Sequence, residues 1–191
     1  MLVPVLLAAS QLLTLPAPSS NVCAAISVVA PKQKMSTKAA QKEFDQARKK
    51  ANKRRVFSAR ETLDLRLVAR LRRARHLSGN ETLRLKLFTP RGYLYQEITL
   101  PFYRTPQSKK ETKSNPYEAT RVVSGFPQPL NVQKARNVTK GWTRYLRVET
   151  RLPVAGTSIS LGSLYGRWTV VPFLNDKAAP CGKPRTFVIR E

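Results

Sequence analysis

Few side chains in this sequence could do covalent chemistry, and their spacing argues against it. There are two cysteines, Cys23 and Cys181, and one histidine, His76. A zinc site needs about four ligands, usually with local pairs, which two distant cysteines cannot supply. A cysteine nucleophile would need His76 as its base and a third group to orient the imidazole. His76 instead sits in a basic turn after Arg72, Arg73 and Arg75, and the acids are few and scattered. The expectation is no enzyme, no metal, no cofactor and no small-molecule substrate; a hydrolase assembled in the long loops is the weakest alternative.

The chemistry that the sequence does offer is electrostatic. Thirty-five Lys and Arg stand against 11 Asp and Glu, a formal net charge of +24. Such a surplus attracts anions, so the candidate partners are acidic polysaccharide, anionic lipid headgroups and nucleic acid. Half of the surplus falls between Lys32 and Arg75, where 16 basic residues meet only Glu43, Asp45, Glu61 and Asp64. The runs Lys49-Lys50 and Lys53-Arg54-Arg55, with Arg72, Arg73 and Arg75, are the candidate polyanion contacts, since binding there would release counterions. A solvated linker is the competing reading of the same residues. Only Phe44 and Phe57 interleave with the charges, which offers nucleic-acid bases little to stack on.

The elements that must position these charges differ along the chain. Met1 to Leu15 is apolar and uncharged and is followed by small residues at Pro16 to Ser20. That is the pattern of a secretory signal over residues 1–22, although no Lys or Arg precedes it. It is short for a membrane span. The chain is therefore expected to be exported, to periplasm, cell envelope or outside, and cytoplasmic if this segment is not a signal. A cut near Ser19 or Ser20 keeps Cys23, which could then pair with Cys181 in an oxidising compartment. A cut after Ala24 or Ala25 removes it; the sequence leaves both open.

Residues 23–60 read as a basic arm or linker. Ser36 can cap a helix over KAAQKEFDQARKKANKRR, but its apolar stripe is only Ala40, Phe44, Ala47 and Ala51, too little to dock it firmly. From Thr62 the period becomes two. Leu63, Leu65, Leu67, Ala69 and Leu71 face one way, with Asp64, Arg66 and Arg70 opposite. Further strands are predicted over residues 82–88, 93–100, 121–126, 142–152, 167–174 and 186–190. Thr89-Pro90-Arg91-Gly92 forms a type I turn, and Asn175-Asp176 another. Long loops span 101–118 and 127–141. Seven such strands with Pro/Gly turns and no intervening helix predict an all-β fold, an antiparallel β-sandwich of about seven strands over 61–191. Trp168 fills its core. Outward Arg66, Arg70, Arg84, Lys86, Arg147 and Arg151 are either edge protection or one basic sheet face.

LRLKLFTPRGYLYQ (Leu83 to Gln96) and LYGRWTVVPFL (Leu164 to Leu174) resemble small secreted bacterial immunoglobulin-like or fibronectin type III-like modules. The first matches a strand, tight turn and strand; the second matches a penultimate strand with a core tryptophan after a glycine. The antibody-type Cys-Trp-Cys pattern is absent. The resemblance implies a binding or spacer element without catalysis. Asn80-Glu81-Thr82 and Asn137-Val138-Thr139 match the N-glycosylation pattern, which matters only in a eukaryotic secretory pathway. The expected function is an adhesion, scaffold or accessory module with affinity for anionic surfaces, its partner an anionic polymer, an envelope surface or another protein. The alternative is a nucleic-acid-binding protein using residues 32–75.

Overall fold

The computed structural model describes residues 22–72, 80–104, 117–123, 131–133, 136–140 and 143–191. Residues 1–21 of the signal-like segment, together with Arg73, Arg75 and His76, lie outside the described residues. So does most of the loop expected over 101–118. The elements run β1 (Cys23–Val29), α1 (Lys38–Arg54), β2 (Val56–Ser58), β3 (Asp64–Arg72), β4 (Asn80–Phe88) and β5 (Leu94–Arg104). They continue with β6 (Tyr117–Val123), β7 (Asn131–Gln133), β8 (Arg136–Lys140), β9 (Thr143–Pro153), α2 (Ser158–Leu161), β10 (Gly166–Leu174) and β11 (Arg185–Arg190).

The strands form two sheets, β1-β3-β9-β8 and β2-β11-β10-β4-β5-β6-β7. Among the described strands only the short β2 runs parallel to its neighbour, β11. The inward faces of both sheets share one hydrophobic core, which is how two pleated layers bury their apolar sides. The alternation that predicts the strands is also what fills this core. Leu65, Leu67, Ala69 and Leu71 of β3 are buried, as are Leu83, Leu85 and Leu87 of β4. Leu63 is 65% exposed, because it precedes β3 and does not share its pleat.

Trp168 is completely buried in β10 and stacks on Phe187 of β11, with ring centroids 6.3 Å apart. Its indole N–H donates to the Leu164 carbonyl at 2.9 Å, so the ring's one polar atom is paired. Tyr95 meets the same indole edge-on at 5.1 Å. A register shift makes this possible: Leu87 pairs with Gln96 but Phe88 pairs with Leu94, leaving Tyr95 as the extra residue of a bulge. Leu94, on the other side of the bulge, is left 52% exposed. At the Thr89 turn the Gly92 N–H bonds the Thr89 carbonyl at 2.9 Å, the closing bond of a β-turn.

All seven expected strands are present, but four more join them. β7 and β8 lie in the stretch read as an irregular crossing over 127–141. β1 and β2 lie inside residues 23–60, read as an arm. Cys23–Val29 is an edge strand paired with β3 from Cys23↔Leu71 to Val29↔Arg66. Its run CAAISVV carries no charges to mark an outward parity, which hid it from a period-two reading. The basic helix therefore does not precede the sandwich. It is the crossover from an edge of one sheet to an edge of the other.

Polar clasps, more than apolar burial, hold α1 in place. None of its residues is buried. Thr37, one position beyond the expected Ser36, caps it by accepting from the Ala40 N–H at 3.2 Å. Near the other end, Asn52 Oδ1 accepts from the Ala30 N–H at 2.7 Å. Gln41 accepts from the Met35 N–H at 2.9 Å and donates to the Gln33 carbonyl at 3.1 Å. Arg55, in the left-handed conformation at φ 58°, ends the helix and hands the chain to β2.

Cys23 and Cys181, 158 positions apart in sequence, are joined by a disulfide, with Cα atoms 5.1 Å apart. The Cys23 N–H donates to the Cys181 carbonyl at 2.9 Å. The bond ties edge strand β1 to the segment before β11, across the two sheets. Gly182 beside it has no room for a side chain, since a Cβ there would lie 2.2 Å from the Cys23 carbonyl oxygen.

Candidate polyanion-binding surface

Helical geometry sorts the α1 cations onto one side. Lys38, Lys42, Lys49 and Lys53 stand at i, i+4, i+11 and i+15, which places them along one stripe. The stripe is roughly 22 Å long at the α-helical rise. Lys50 flanks it, and Arg54 stands about 40° further round, toward the groove side. All six side chains are exposed, and none is ion-paired among the described residues. Lys53 and Arg54 also sit in the last turn, where the helix dipole favours positive charge.

The opposite side of α1 faces the sandwich. A groove of about 370 Å³ runs there, its apolar lining including Met35, Phe44, Ala51 and Phe57, with the carboxylates of Glu43 and Glu61. The alanines are too small to close it. This is the weak docking stripe of the sequence, seen from the inside.

A second array covers the outer face of the sheet that holds β3 and β9. Arg66 pairs directly with Arg151, and Arg70 directly with Arg147. Like charges in direct cross-strand register are unfavourable. One carboxylate stands in their midst: Glu149, opposite Val68, meets Arg147 Nε at 2.6 Å and Arg66 Nη1 at 3.4 Å. Arg151 reaches Asp64 at 3.1 Å. Arg70 makes no ion pair among the described residues. Val68 is 4% exposed despite its outward parity. Arginine stems flanking it account for that. Backbone register also brings β8 alongside, with Arg136 opposite Arg147.

The expectation of one basic sheet face needs dividing. Arg84 and Lys86 lie on the other sheet and are occupied there. Both pair with Glu97, at 3.5 and 3.8 Å, and both lie over the Phe173 ring. Arg84 also donates to the Asn175 carbonyl at 3.0 Å. These two brace the hairpin end of β10 and are not part of a free cationic face.

The polyanion contacts expected from sequence divide similarly. Lys49, Lys50 and Lys53 lie on or beside the outer stripe of α1, and Arg54 is exposed nearer its groove side. Arg55 is half-buried and directed to the sheet, its carbonyl accepting from the Val188 N–H at 2.8 Å. Arg185 stands near it at the start of β11. Burial, and then the Arg55 charge, hold the Arg185 guanidinium below its ordinary pKa. Arg72 is exposed at the far end of β3. Asn52 of α1 bonds Ala30, next to Val29, which pairs with Arg66. Arg72 is six residues further on, about 20 Å along the strand. It is separated from the helix stripe and belongs with the sheet array.

The sequence missed what joins the two arrays. A pocket of about 310 Å³ between α1 and the edge of β1 and β3 is lined by Lys32, Arg48, Asn52 and Arg66, with Val29, Ala30 and Pro31. It links the helix surface to the arginine-bearing sheet. The outward parity of Arg66 was visible in sequence. Its approach to Arg48 depends on α1 docking beside β1, which no local pattern encodes.

Among the described residues no group of three His, Cys, Asp or Glu side chains converges as a metal site. No described helix is long and apolar enough to cross a membrane. No family model matches the sequence, and searches of curated proteins and of solved structures return no match.

Proposed function

We propose that this protein is an exported, non-catalytic β-sandwich module that binds an acidic polymer or envelope surface through the basic surface formed by α1 and the β3–β9 face. The observation that carries this reading is the register of Arg66 with Arg151 and Arg70 with Arg147, four guanidiniums against the two carboxylates, Glu149 and Asp64, that pair with them among the described residues. Four guanidinium groups held on a rigid sheet cost repulsion when unoccupied. A chain of anionic groups laid across them relieves that repulsion and releases counterions. The disulfide supports the exported part of the reading, since such bonds persist in oxidising compartments. The adhesion or scaffold role, and the likeness to secreted immunoglobulin-like or fibronectin-like modules, stand on the same footing.

The test is retention on immobilised heparin, used as a model sulfated polysaccharide, with elution by salt. The wild type should elute late. A variant with Arg66, Arg70, Arg147 and Arg151 replaced by Gln should elute at markedly lower salt while keeping its circular dichroism spectrum. Equal elution of the two would refute the reading. Competition by single-stranded oligonucleotide stronger than by heparin would favour the nucleic-acid alternative.

A further inference from the structure

We propose that the pocket between α1 and the β1–β3 edge is a seat for a single phosphate monoester, where a discrete group and not a diffuse chain is held. The proposal rests on the reading of that surface as a polyanion-binding one, but it makes a separate claim about a defined site.

Three cations line the pocket: Lys32 from the segment after β1, Arg48 from α1 and Arg66 from β3. No carboxylate lines it. The nearest counter-charges are already committed in directions that leave donors over. Arg48 directs Nε and Nη2 to the same oxygen of Asp45, both at 3.2 Å. A guanidinium has five N–H donors, so its Nη1 group is not used by that pair. Arg66 gives Nη1 to Glu149 at 3.4 Å, which leaves Nε and Nη2. Both side chains are partly desolvated, Arg48 at 14% and Arg66 at 32% exposure, so they are stiffer and less water-screened than the lysines of the helix stripe. Lys32 is exposed and able to swing over the mouth.

The wall of the pocket is fixed. Asn52 clamps the Ala30 backbone through its Oδ1 at 2.7 Å and its Nδ2 at 3.5 Å, which sets α1 against the end of β1 and so sets Arg48 against Arg66. One Nδ2 proton remains for a ligand. Two forked guanidiniums from different elements, a mobile ammonium and an amide make a donor set suited to a tetrahedral oxyanion. With Asp45 and Glu149 beside two of the three cations the site stays net positive, and a net positive site attracts a dianion more strongly than a monoanion, so a phosphate monoester should bind more tightly than a sulfate ester. The same chemistry is presented by a phosphorylated sugar unit and by a monoester lipid headgroup.

The experiment uses the full chain and soluble probes. Glucose 6-phosphate is titrated while the Asn52 side-chain amide and the Arg48 and Arg66 Nε–H signals are followed by NMR, at constant ionic strength. Saturable shifts confined to these groups are expected, with glucose 6-sulfate binding several-fold more weakly. Lys32→Ala and Arg48→Gln should each weaken phosphate binding by roughly tenfold. Lys32 makes no contact that the fold needs, so its variant tests the seat without threatening folding. Binding also to vesicles containing phosphatidic acid, lost in the same variants, would assign the group to a lipid; its absence would assign it to a polymer. Linear, non-saturating shifts, or shifts spread equally over all exposed cations, would overturn the seat. If that happens while heparin retention persists, the seat alone falls. If glucose 6-phosphate saturates but heparin is not retained, the broader reading falls and the seat stands.

Discussion

Replacing both Cys23 and Cys181 with Ala should cost this protein a large share of its stability. The bond closes a chain segment of 158 residues, and the chain-entropy relation gives about 5 kcal/mol for a loop of that length. Measured losses for native disulfides run at about 2–5 kcal/mol, so the lower half of the range is also compatible with the mechanism. Domains of this kind have roughly 5–15 kcal/mol in total. The local structure adds to the effect. Cys23 begins edge strand β1, whose one sheet neighbour is β3, and the Cys23 N–H to Cys181 carbonyl bond joins its first residue to the other layer. Urea unfolding of the wild type, the double variant and the wild type in reductant measures it directly. The double variant and the reduced wild type should agree, both shifted down by several kcal/mol. Their dependence on urea should be steeper, because an uncrosslinked unfolded chain exposes more surface. A difference under about 1 kcal/mol, or a double variant insensitive to the change while reductant still destabilises it, would refute the loop-closure argument.

Three further outcomes follow from the packing and the charges. Trp168→Ala should cost about 3–5 kcal/mol in thermal or urea unfolding, since it empties the contact with Phe187 and Tyr95 at the centre of the core. Glu149→Gln should lower stability by about 1–2 kcal/mol, by leaving Arg66 and Arg147 without their shared carboxylate, and should raise affinity for heparin in the same preparation. Arg185→Met should leave the protein as stable as the wild type or slightly more stable at neutral pH, as read by urea unfolding. The folded state depresses the Arg185 pKa, so its positive form is disfavoured by folding at every pH where arginine is charged, and removing the charge removes that penalty. A clear loss of stability would show an anionic partner for Arg185.

The seven alternating strands were legible because each carries its own evidence in a run of six to eleven residues. Leu83, Leu85 and Leu87 against Arg84 and Lys86 is a pattern that needs no partner to be recognised. β1 was not legible for the opposite reason. Ala24, Ala25 and Ser27 are neither core-forming nor charged, and the strand follows directly on an apolar leader-like segment. α1 was recognised as a helix from its composition, but its place as a crossover was not, since that depends on β1 and β2 being strands. The candidate surface shows the same division. That Arg66, Arg70, Arg147 and Arg151 point away from the core follows from parity within each strand. That Arg66 faces Arg151 and Arg70 faces Arg147, while Arg84 and Lys86 lie on another sheet, is set by register and sheet order. Those are long-range properties, fixed by the burial of whole faces and not by any local signal.

Residues 32–55 cannot be deleted as a test of the basic surface, because α1 joins the two sheets; charge must be removed in place. The most direct measurement is the dependence of heparin-fragment affinity on salt, as log K against log of salt concentration, for the wild type and for the Arg66, Arg70, Arg147 and Arg151 to Gln variant. Each neutralised anionic group contributes to that slope through counterion release. The basic surface proposed here predicts a steep slope for the wild type and about half of it for the variant, the α1 stripe supplying the remainder. Identical slopes, with both proteins folded, would contradict it.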